Sequence, residues 1–258
     1  MFDRIQKPFL TVETGEAYQP VRLAYDIHDR DALIATLEQL SCIEFDNVSQ
    51  TWTWYWRDEC DDLHFESVDS FRRRSENVIR LASLQVQKNH LYVNLRSFKR
   101  ACLAVPFFYR YFERKILELH HADFINKVFG TDERITHGFV EMFSEEELEA
   151  ILKQRLDDYY AMQARCENAE TAEEAFGYLA EYSQAESKKR LPYAERYAFL
   201  LDEVEDPDVI FLGFYIYLRG RELVAIKRWF GETGYSLSDA ADQIIESVFG
   251  GIGVDLLE

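Results

Sequence analysis

Apolar and polar residues alternate through much of the front part of the chain, which is the pattern of half-buried β-strands. Val21, Leu23 and Tyr25 show it most clearly, because a polar or small residue follows each of them. A β-hairpin is predicted where two such segments flank the turn residues 88–90. The alternation predicts strands at residues 20–26, 42–46, 50–57, 63–67, 77–87 and 91–97.

The spacing of apolar residues changes to three or four, the period of an amphipathic helix, in most of the remaining segments. Ser144 and Thr171 each precede a glutamate by three residues, and this capping box marks the start of a helix. Pro106 is expected to kink or divide the helix that contains it, and Gly220 is expected to separate two helices. The pattern predicts helices at residues 29–41, 98–120, 122–129, 144–166, 171–190, 193–204, 207–218, 222–230 and 238–249.

The order of these elements predicts an α+β fold. Strands dominate the N-terminal part, which forms a mostly antiparallel sheet with one or two helices, and a C-terminal all-helical region follows. Residues 131–143 lie between the two parts and contain no Pro/Ser-rich linker. We therefore expect an α+β domain at residues 1–130 and an acidic helical domain at residues 131–258, packed tightly against the first.

Negative charge is concentrated in the predicted helical part. The chain has a formal net charge of −18. Residues 144–258 contain 25 acidic and 11 basic residues, a net of −14, and residues 1–143 contain 22 acidic and 18 basic residues, a net of −4. A field of this sign repels nucleic-acid phosphates and anionic membranes, and it suits a basic partner. The expected partner is therefore another protein, and membrane and nucleic-acid binding are disfavoured.

Cysteine spacing and hydropathy indicate a cytoplasmic protein. The four cysteines are far apart and form no C-x-x-C pair, so neither a disulfide framework nor a zinc knuckle is predicted. Residues 1–8 lack the apolar stretch of a secretory signal. The longest apolar run, residues 209–218, is about half as long as a membrane-spanning helix. The sequence contains no cofactor motif that we recognise, so no cofactor is predicted.

Three tryptophans form the first candidate binding surface. Trp52, Trp54 and Trp56 are two residues apart in a predicted strand, so their side chains share one face. If that face is open to solvent, it is suited to a partner protein, a sugar or a stacked ring. If it faces the predicted helices, it belongs to the core, where large rings are mostly found.

Arg110 and Arg114 belong to the second candidate, a basic and aromatic segment. They lie on the helix predicted after the β-hairpin, where Phe107, Phe108 and Tyr111 are interleaved with basic residues. Such a mixture can bind single-stranded nucleic acid. It equally fits a basic helix that packs on the acidic helical part, and this interpretation accounts for the charge asymmetry without a ligand.

His120 and Asp123 are the candidate metal ligands. Imidazole and carboxylate groups bind zinc or iron, and a spacing of three residues places both on one face of a helix. Further ligands have to come from elsewhere, because no H-E-x-x-H or comparable pattern is present. The alternative is a polar turn between two helices.

The sequence favours a non-enzymatic interaction protein, such as an assembly factor, adaptor or regulator. It would use an aromatic surface of the α+β part together with the acidic helical part. One alternative is an enzyme with a convergent site, with a metal near His120 and Asp123. Another is an acidic mimic of nucleic acid, whose carboxylates in residues 145–208 are placed like phosphates. A homodimer is left open by the sequence.

Overall fold

The computed structural model describes residues 8–65, 78–135, 139–199 and 206–249. Within these ranges the strands are β1 (Val21–Ile27), β2 (Ile43–Asp46), β3 (Thr51–Tyr55), β4 (Arg80–Gln87), β5 (His90–Leu95), β6 (Leu117–Ile125) and β7 (Ala194–Ala198). The α-helices are α1 (Arg30–Gln39), α2 (Phe98–Tyr111), α3 (Glu145–Glu167), α4 (Ala172–Lys188), α5 (Pro207–Trp229) and α6 (Leu237–Phe249).

The described strands form one antiparallel sheet. Their order across the sheet is β2-β3-β4-β5-β1-β6-β7. The predicted β-hairpin is confirmed as β4 and β5, and Lys88 takes the left-handed conformation (φ 52°) that closes its turn. The strands predicted at β1, β2 and β3 are confirmed as well. Helices dominate the C-terminal half, so the α+β class is confirmed.

The chain that follows α2 differs from the prediction. α2 ends at Tyr111 and the next element is the strand β6, so the helices predicted at residues 98–120 and 122–129 are wrong beyond Tyr111. β6 pairs with the central strand β1 along Val21–Ile27. This pairing joins distant parts of the sequence, and such pairing overrides a weak local preference for helix.

Another strand lies where the sequence pattern predicts a helix. The helix predicted at residues 193–204 is wrong over Ala194–Ala198, because this segment is β7, which pairs with β6 at the edge of the sheet. The strand predicted at residues 63–67 is also wrong for residues 63–65, which form no strand. Its last two positions lie outside the described residues.

Two helices continue through residues that the sequence pattern predicts as breaks. α5 is one helix that runs through Gly220, so the two separate helices predicted there are wrong. α2 likewise continues through Pro106. The two helices pack against one another, and this tertiary contact stabilises them against the local cost of the two breakers. Every described helix is too short or too polar to span a lipid bilayer.

The main core lies between one face of the sheet and the helices α1, α2 and α5. Trp54 at its centre is fully buried, and its ring centroid lies 4.7 Å from that of Phe107 and 5.3 Å from that of Phe108. Phe214 of α5 packs on Tyr197 of β7 with ring centroids 5.2 Å apart. These aromatic contacts join the helices to the sheet.

The opposite face of the sheet carries a row of polar side chains. Arg22 pairs with Asn94 of β5 on one side and with Asp123 of β6 on the other. Asp123 in turn pairs with Arg196 of β7. Residues directly opposite each other share a face, so the four side chains form a line across four strands. Phe143 packs on this line at Arg22, with its ring centroid 5.1 Å from the Arg22 guanidinium carbon.

We expect the replacement of Phe107 by alanine to destabilise the fold strongly. The side chain is 1% exposed and contacts the rings of Trp54, Phe108 and Tyr111. The cavity left by Phe107→Ala should lower the free energy of unfolding by about 3–5 kcal/mol. Val48 is 94% exposed, and Val48→Ala should change this free energy by less than about 0.5 kcal/mol. Urea unfolding followed by tryptophan fluorescence measures both variants, and similar stabilities would contradict this packing.

Candidate functional site

The three tryptophans of the predicted strand are core residues. Trp52, Trp54 and Trp56 are 6%, 0% and 7% exposed. Trp54 Nε1 donates a hydrogen bond to Cys60 Sγ at 2.9 Å, and Trp56 Nε1 donates to the Cys60 carbonyl oxygen at 2.9 Å. The prediction of an exposed aromatic binding surface at these residues is therefore corrected. Their side chains belong to the core, which was the alternative. The face is closed because the sheet packs this side against α2.

Arg110 and Arg114 are exposed at the C-terminal end of α2 and just beyond it. Arg110 Nη1 lies 2.9 Å from Asp62 Oδ2, and Arg114 Nη2 lies 2.5 Å from Glu118 Oε1. Both carboxylates belong to the N-terminal half, although α2 itself packs against α5 of the helical half. The contact between α2 and the acidic half thus exists, but these two ion pairs are formed within the N-terminal half.

His120 and Asp123 lie on the strand β6 instead of a helix. Side chains three residues apart in a strand project to opposite faces, and here His120 is exposed while Asp123 is fully buried. The predicted pairing of these two residues as metal ligands is therefore corrected. His121 shares the face of Asp123, with its Nε2 3.5 Å from Asp123 Oδ2. In the part of the chain that the structure describes, no three His, Cys, Asp or Glu residues are arranged to hold a metal ion.

Asp123 is instead held by two arginines. Arg22 Nη2 donates to Asp123 Oδ2 at 2.5 Å, and Arg196 Nε donates to Asp123 Oδ1 at 2.6 Å. Burial by itself raises the pKa of Asp123, but hydrogen bonds and charge from His121 and Arg196 outweigh it and hold this pKa well below its usual value. Asp123 is therefore a permanent anion at neutral pH, and its carboxylate has no proton to donate as a general acid.

This network fixes the start of α3 on the sheet. Glu145, in the first turn of α3, accepts from Arg196 Nη2 at 2.7 Å and from Arg22 Nη2 at 3.4 Å. The Ser144 hydroxyl accepts from Glu147 N, as the capping box predicts. Negative charge and a side-chain cap both favour a helix N-terminus, so the first turn of α3 is stabilised where it meets Arg22 and Arg196.

A second buried carboxylate, Glu195, anchors α3 further along the helix. Glu195 precedes Arg196 in β7 and therefore projects to the opposite face of the sheet. It accepts from Arg221 Nε at 2.8 Å and forms an ion pair with Arg155 of α3. Burial raises the pKa of Glu195, but the charges and hydrogen bonds of its partners, Arg221 first, lower it below its usual value. α3 is thus tied to both faces of the edge strand.

Beyond these anchors, α3 and α4 form an acidic helical hairpin that buries very little of itself. Leu148 is the one buried residue of α3, and α4 has none, over helices that the structure describes from end to end. Helices of this length on a globular protein normally bury an apolar stripe. Here five large apolar side chains, which we call the apolar hairpin surface, are exposed by 43%, 47%, 59%, 70% and 46%: Leu156, Tyr159, Tyr160, Phe176 and Leu179.

The charge of the acidic helical hairpin is strongly one-sided. Residues 144–188 contain 12 acidic and 4 basic residues, a net of −8. Arg165, one of these basic residues, is paired within the hairpin with Glu181, at 3.3 Å. Exposed rings in a field of one sign are typical of a site for a partner of the opposite charge.

Sequence pattern alone does not identify the apolar hairpin surface. Leu156, Tyr159 and Tyr160 are spaced by three and four residues in α3, and this spacing also describes the buried face of an ordinary helix. The density of acidic residues around these three side chains is the signal that could have distinguished an exposed face from a buried one. With so many carboxylates on α3 and α4, few uncharged surfaces remain through which these two helices could pack on the rest of the protein.

Known proteins supply no function for this arrangement. A comparison with family models, with curated proteins and with solved structures found no match.

We expect Asp123→Asn to lower stability at neutral pH and to weaken its pH dependence. The neutral amide leaves Glu145 as the remaining carboxylate partner of Arg22 and Arg196, and the loss of the buried charge-assisted bonds should cost about 1–3 kcal/mol in the free energy of unfolding at neutral pH. Because the pKa of Asp123 is lower in the folded than in the unfolded chain, its contribution is present above about pH 4 and is lost as the pH falls toward the folded-state pKa.

The measurement is urea unfolding from neutral pH down to about pH 3, with Glu149→Gln as the control. Glu149 is an exposed acidic residue of α3, so its replacement should leave the stability profile close to wild type. The wild type should lose more stability on acidification than Asp123→Asn does. Parallel profiles of wild type and Asp123→Asn would mean that Asp123 carries no stabilising charge.

Proposed function

We propose that this chain is a non-enzymatic interaction protein, an adaptor, assembly factor or regulator, that binds a basic partner protein through its acidic helical hairpin. One observation carries the proposal. Across the two helices α3 and α4, Leu148 is the one fully buried residue, while five large apolar side chains remain exposed. Apolar surface that the chain does not cover itself is typical of a site that another protein covers.

The composition of the apolar hairpin surface favours a protein partner. Tyr159, Tyr160 and Phe176 supply large rings with few rotatable bonds, and aromatic residues are enriched where binding energy is concentrated. Tyr159 and Tyr160 also contact each other, with ring centroids 5.8 Å apart. Each ring can bury much of its apolar area at a small cost in side-chain entropy.

The charge of the hairpin favours a basic partner over a second copy of this chain. Two hairpins with a net charge of −8 each repel one another when they approach. A basic surface is attracted instead, and this attraction accelerates encounter and aligns the partner. The proposal therefore commits to a basic protein, and a homodimer is one of the outcomes that the experiment distinguishes.

The buried anchors support the proposal because they hold the hairpin in position before any partner arrives. Glu145 and Arg155 tie α3 to the two faces of β7 through Arg196 and Glu195. A helix that is fixed before binding loses less conformational freedom on association, so more of the contact energy appears as affinity.

We expect the double variant Tyr160→Ser with Phe176→Ser to lose the partner. Immobilised wild-type chain is incubated with extract of its own source cells, and the retained protein is identified, purified and titrated calorimetrically. Truncation of the two most exposed rings at about 1–2 kcal/mol each should weaken the affinity by about 30-fold or more. The control Val48→Ser changes a 94% exposed residue in the turn between β2 and β3 and should bind like wild type.

The outcomes separate the alternatives. A basic partner that is lost by the double variant and weakened by salt supports the proposal. Equal binding of the double variant, with complete loss in salt, would favour the acidic nucleic-acid mimic, because charge alone would then carry the affinity. A dimer in native mass spectrometry that dissociates in the double variant would replace the basic partner with a second copy. Circular dichroism and thermal unfolding of the variant confirm that it is folded.

A further inference from the structure

The segment that leads into β7 borders a cavity of about 630 Å³, which none of the five residues of the apolar hairpin surface lines. The cavity is formed by the end of β6, the segment at residues 190–193 that leads into β7, and the last turns of α5. Its volume falls in the range of sites for small organic ligands. The cavity plays no part in the function proposed above.

The charged side chains that line the cavity are all cationic. They are Lys127, Arg190 and Arg228, in a chain whose net charge is −18. Lys127 forms an ion pair with Glu133. Arg190 is exposed and has no hydrogen-bond or ion-pair partner among the residues that the structure describes. Positive charge from three side chains around one cavity favours the binding of an anion there.

Arg228 adds a buried donor to the cavity. Its Nε is buried and has no hydrogen-bond partner in the described part of the chain. A guanidinium presents its N–H groups as a rigid fork, which matches the oxygen atoms of phosphate and carboxylate groups. An anion bound by the Arg228 guanidinium could satisfy this donor.

Asn126 adds a buried acceptor. Its Nδ2 donates to the Pro192 carbonyl oxygen at 3.0 Å and to Glu195 Oε2 at 2.5 Å. Both partners are acceptors, so they fix the orientation of the amide and leave Oδ1 as the free atom. Asn126 is 8% exposed, lines the cavity, and its Oδ1 has no partner within the described ranges. A buried amide oxygen of this kind requires an N–H or O–H donor.

Glu195 lies behind Asn126 but does not cancel the positive charge of the cavity. Its carboxylate is already paired with Arg221 and Arg155. The site therefore combines three cations and one acceptor with an apolar wall that includes Val224 and Ala225.

We propose that this cavity binds a small phosphorylated compound that also carries a hydroxyl or amino group. Arg228 and Arg190 would bind the phosphate, with Lys127 contributing charge, and Asn126 Oδ1 would accept a hydrogen bond from the hydroxyl or amino group. A dianionic phosphate matches three cations better than a single carboxylate does. The acceptor distinguishes an organic phosphate from inorganic phosphate or a simple alkyl phosphate.

The test is calorimetric titration of the full chain with ribose 5-phosphate, adenosine 5′-monophosphate, methyl phosphate and inorganic phosphate at constant ionic strength. At least one of the two hydroxyl-bearing probes should bind saturably and more tightly than methyl phosphate. Arg190→Ala and Arg228→Gln should each weaken that binding by about tenfold or more, since each removes a charge-assisted contact. Arg190 is exposed, so Arg190→Ala is expected to fold normally.

Lys153→Ala is the matched control, because Lys153 is an exposed cation of α3 that does not line the cavity. It changes the net charge by the same amount as Arg190→Ala and should alter the affinity by less than about twofold. The proposal is overturned if no probe binds saturably at millimolar concentration. It is equally overturned if Arg190→Ala and Arg228→Gln bind every probe as Lys153→Ala does, or if methyl phosphate binds as tightly as both hydroxyl-bearing probes.

Discussion

Two buried carboxylates on neighbouring strands hold the helical half of this protein against its sheet. Asp123 on β6 is paired with Arg22 and Arg196, and Glu195 on β7 is paired with Arg155 and Arg221. A buried charge is tolerable only while its partners stay in place, because an ion removed from water without compensation is strongly destabilising. Each network therefore stabilises the contact most when it is complete, because removing one partner leaves buried charge less fully compensated.

The position of β7 explains how one helix can use both networks. Successive residues of an edge strand project to opposite faces, so Glu195 and Arg196 lie on either side of the sheet. α3 packs along this edge and reaches Arg196 with Glu145 and Glu195 with Arg155. The helix also covers an edge that could otherwise pair with another strand. Its remaining surface, together with α4, is left free to face solvent or a partner.

Positive and negative charge are separated by this arrangement. Four arginines are used inside the two networks, and three further cations line the cavity beside β7. The outer surface of the hairpin keeps its excess of carboxylates. A chain with a net charge of −18 thus presents both an acidic, partly apolar helical pair and a small cavity lined by cations from other residues. The two surfaces suit ligands of opposite charge, so they need not compete for one partner.

Elements with local signals could be predicted from the order of residues alone. The β4–β5 hairpin, the capping boxes at Ser144 and Thr171, and the acidic character of the helical half are properties of neighbouring residues, and the structure has the hairpin and both caps. Three further features became visible only in the folded chain: β6 and β7 are strands, the tryptophans are buried, and Asp123 binds arginines. These outcomes depend on contacts between residues far apart in the chain, such as Asp123 with Arg22 and Arg196, and no short-range pattern records which distant segments will meet.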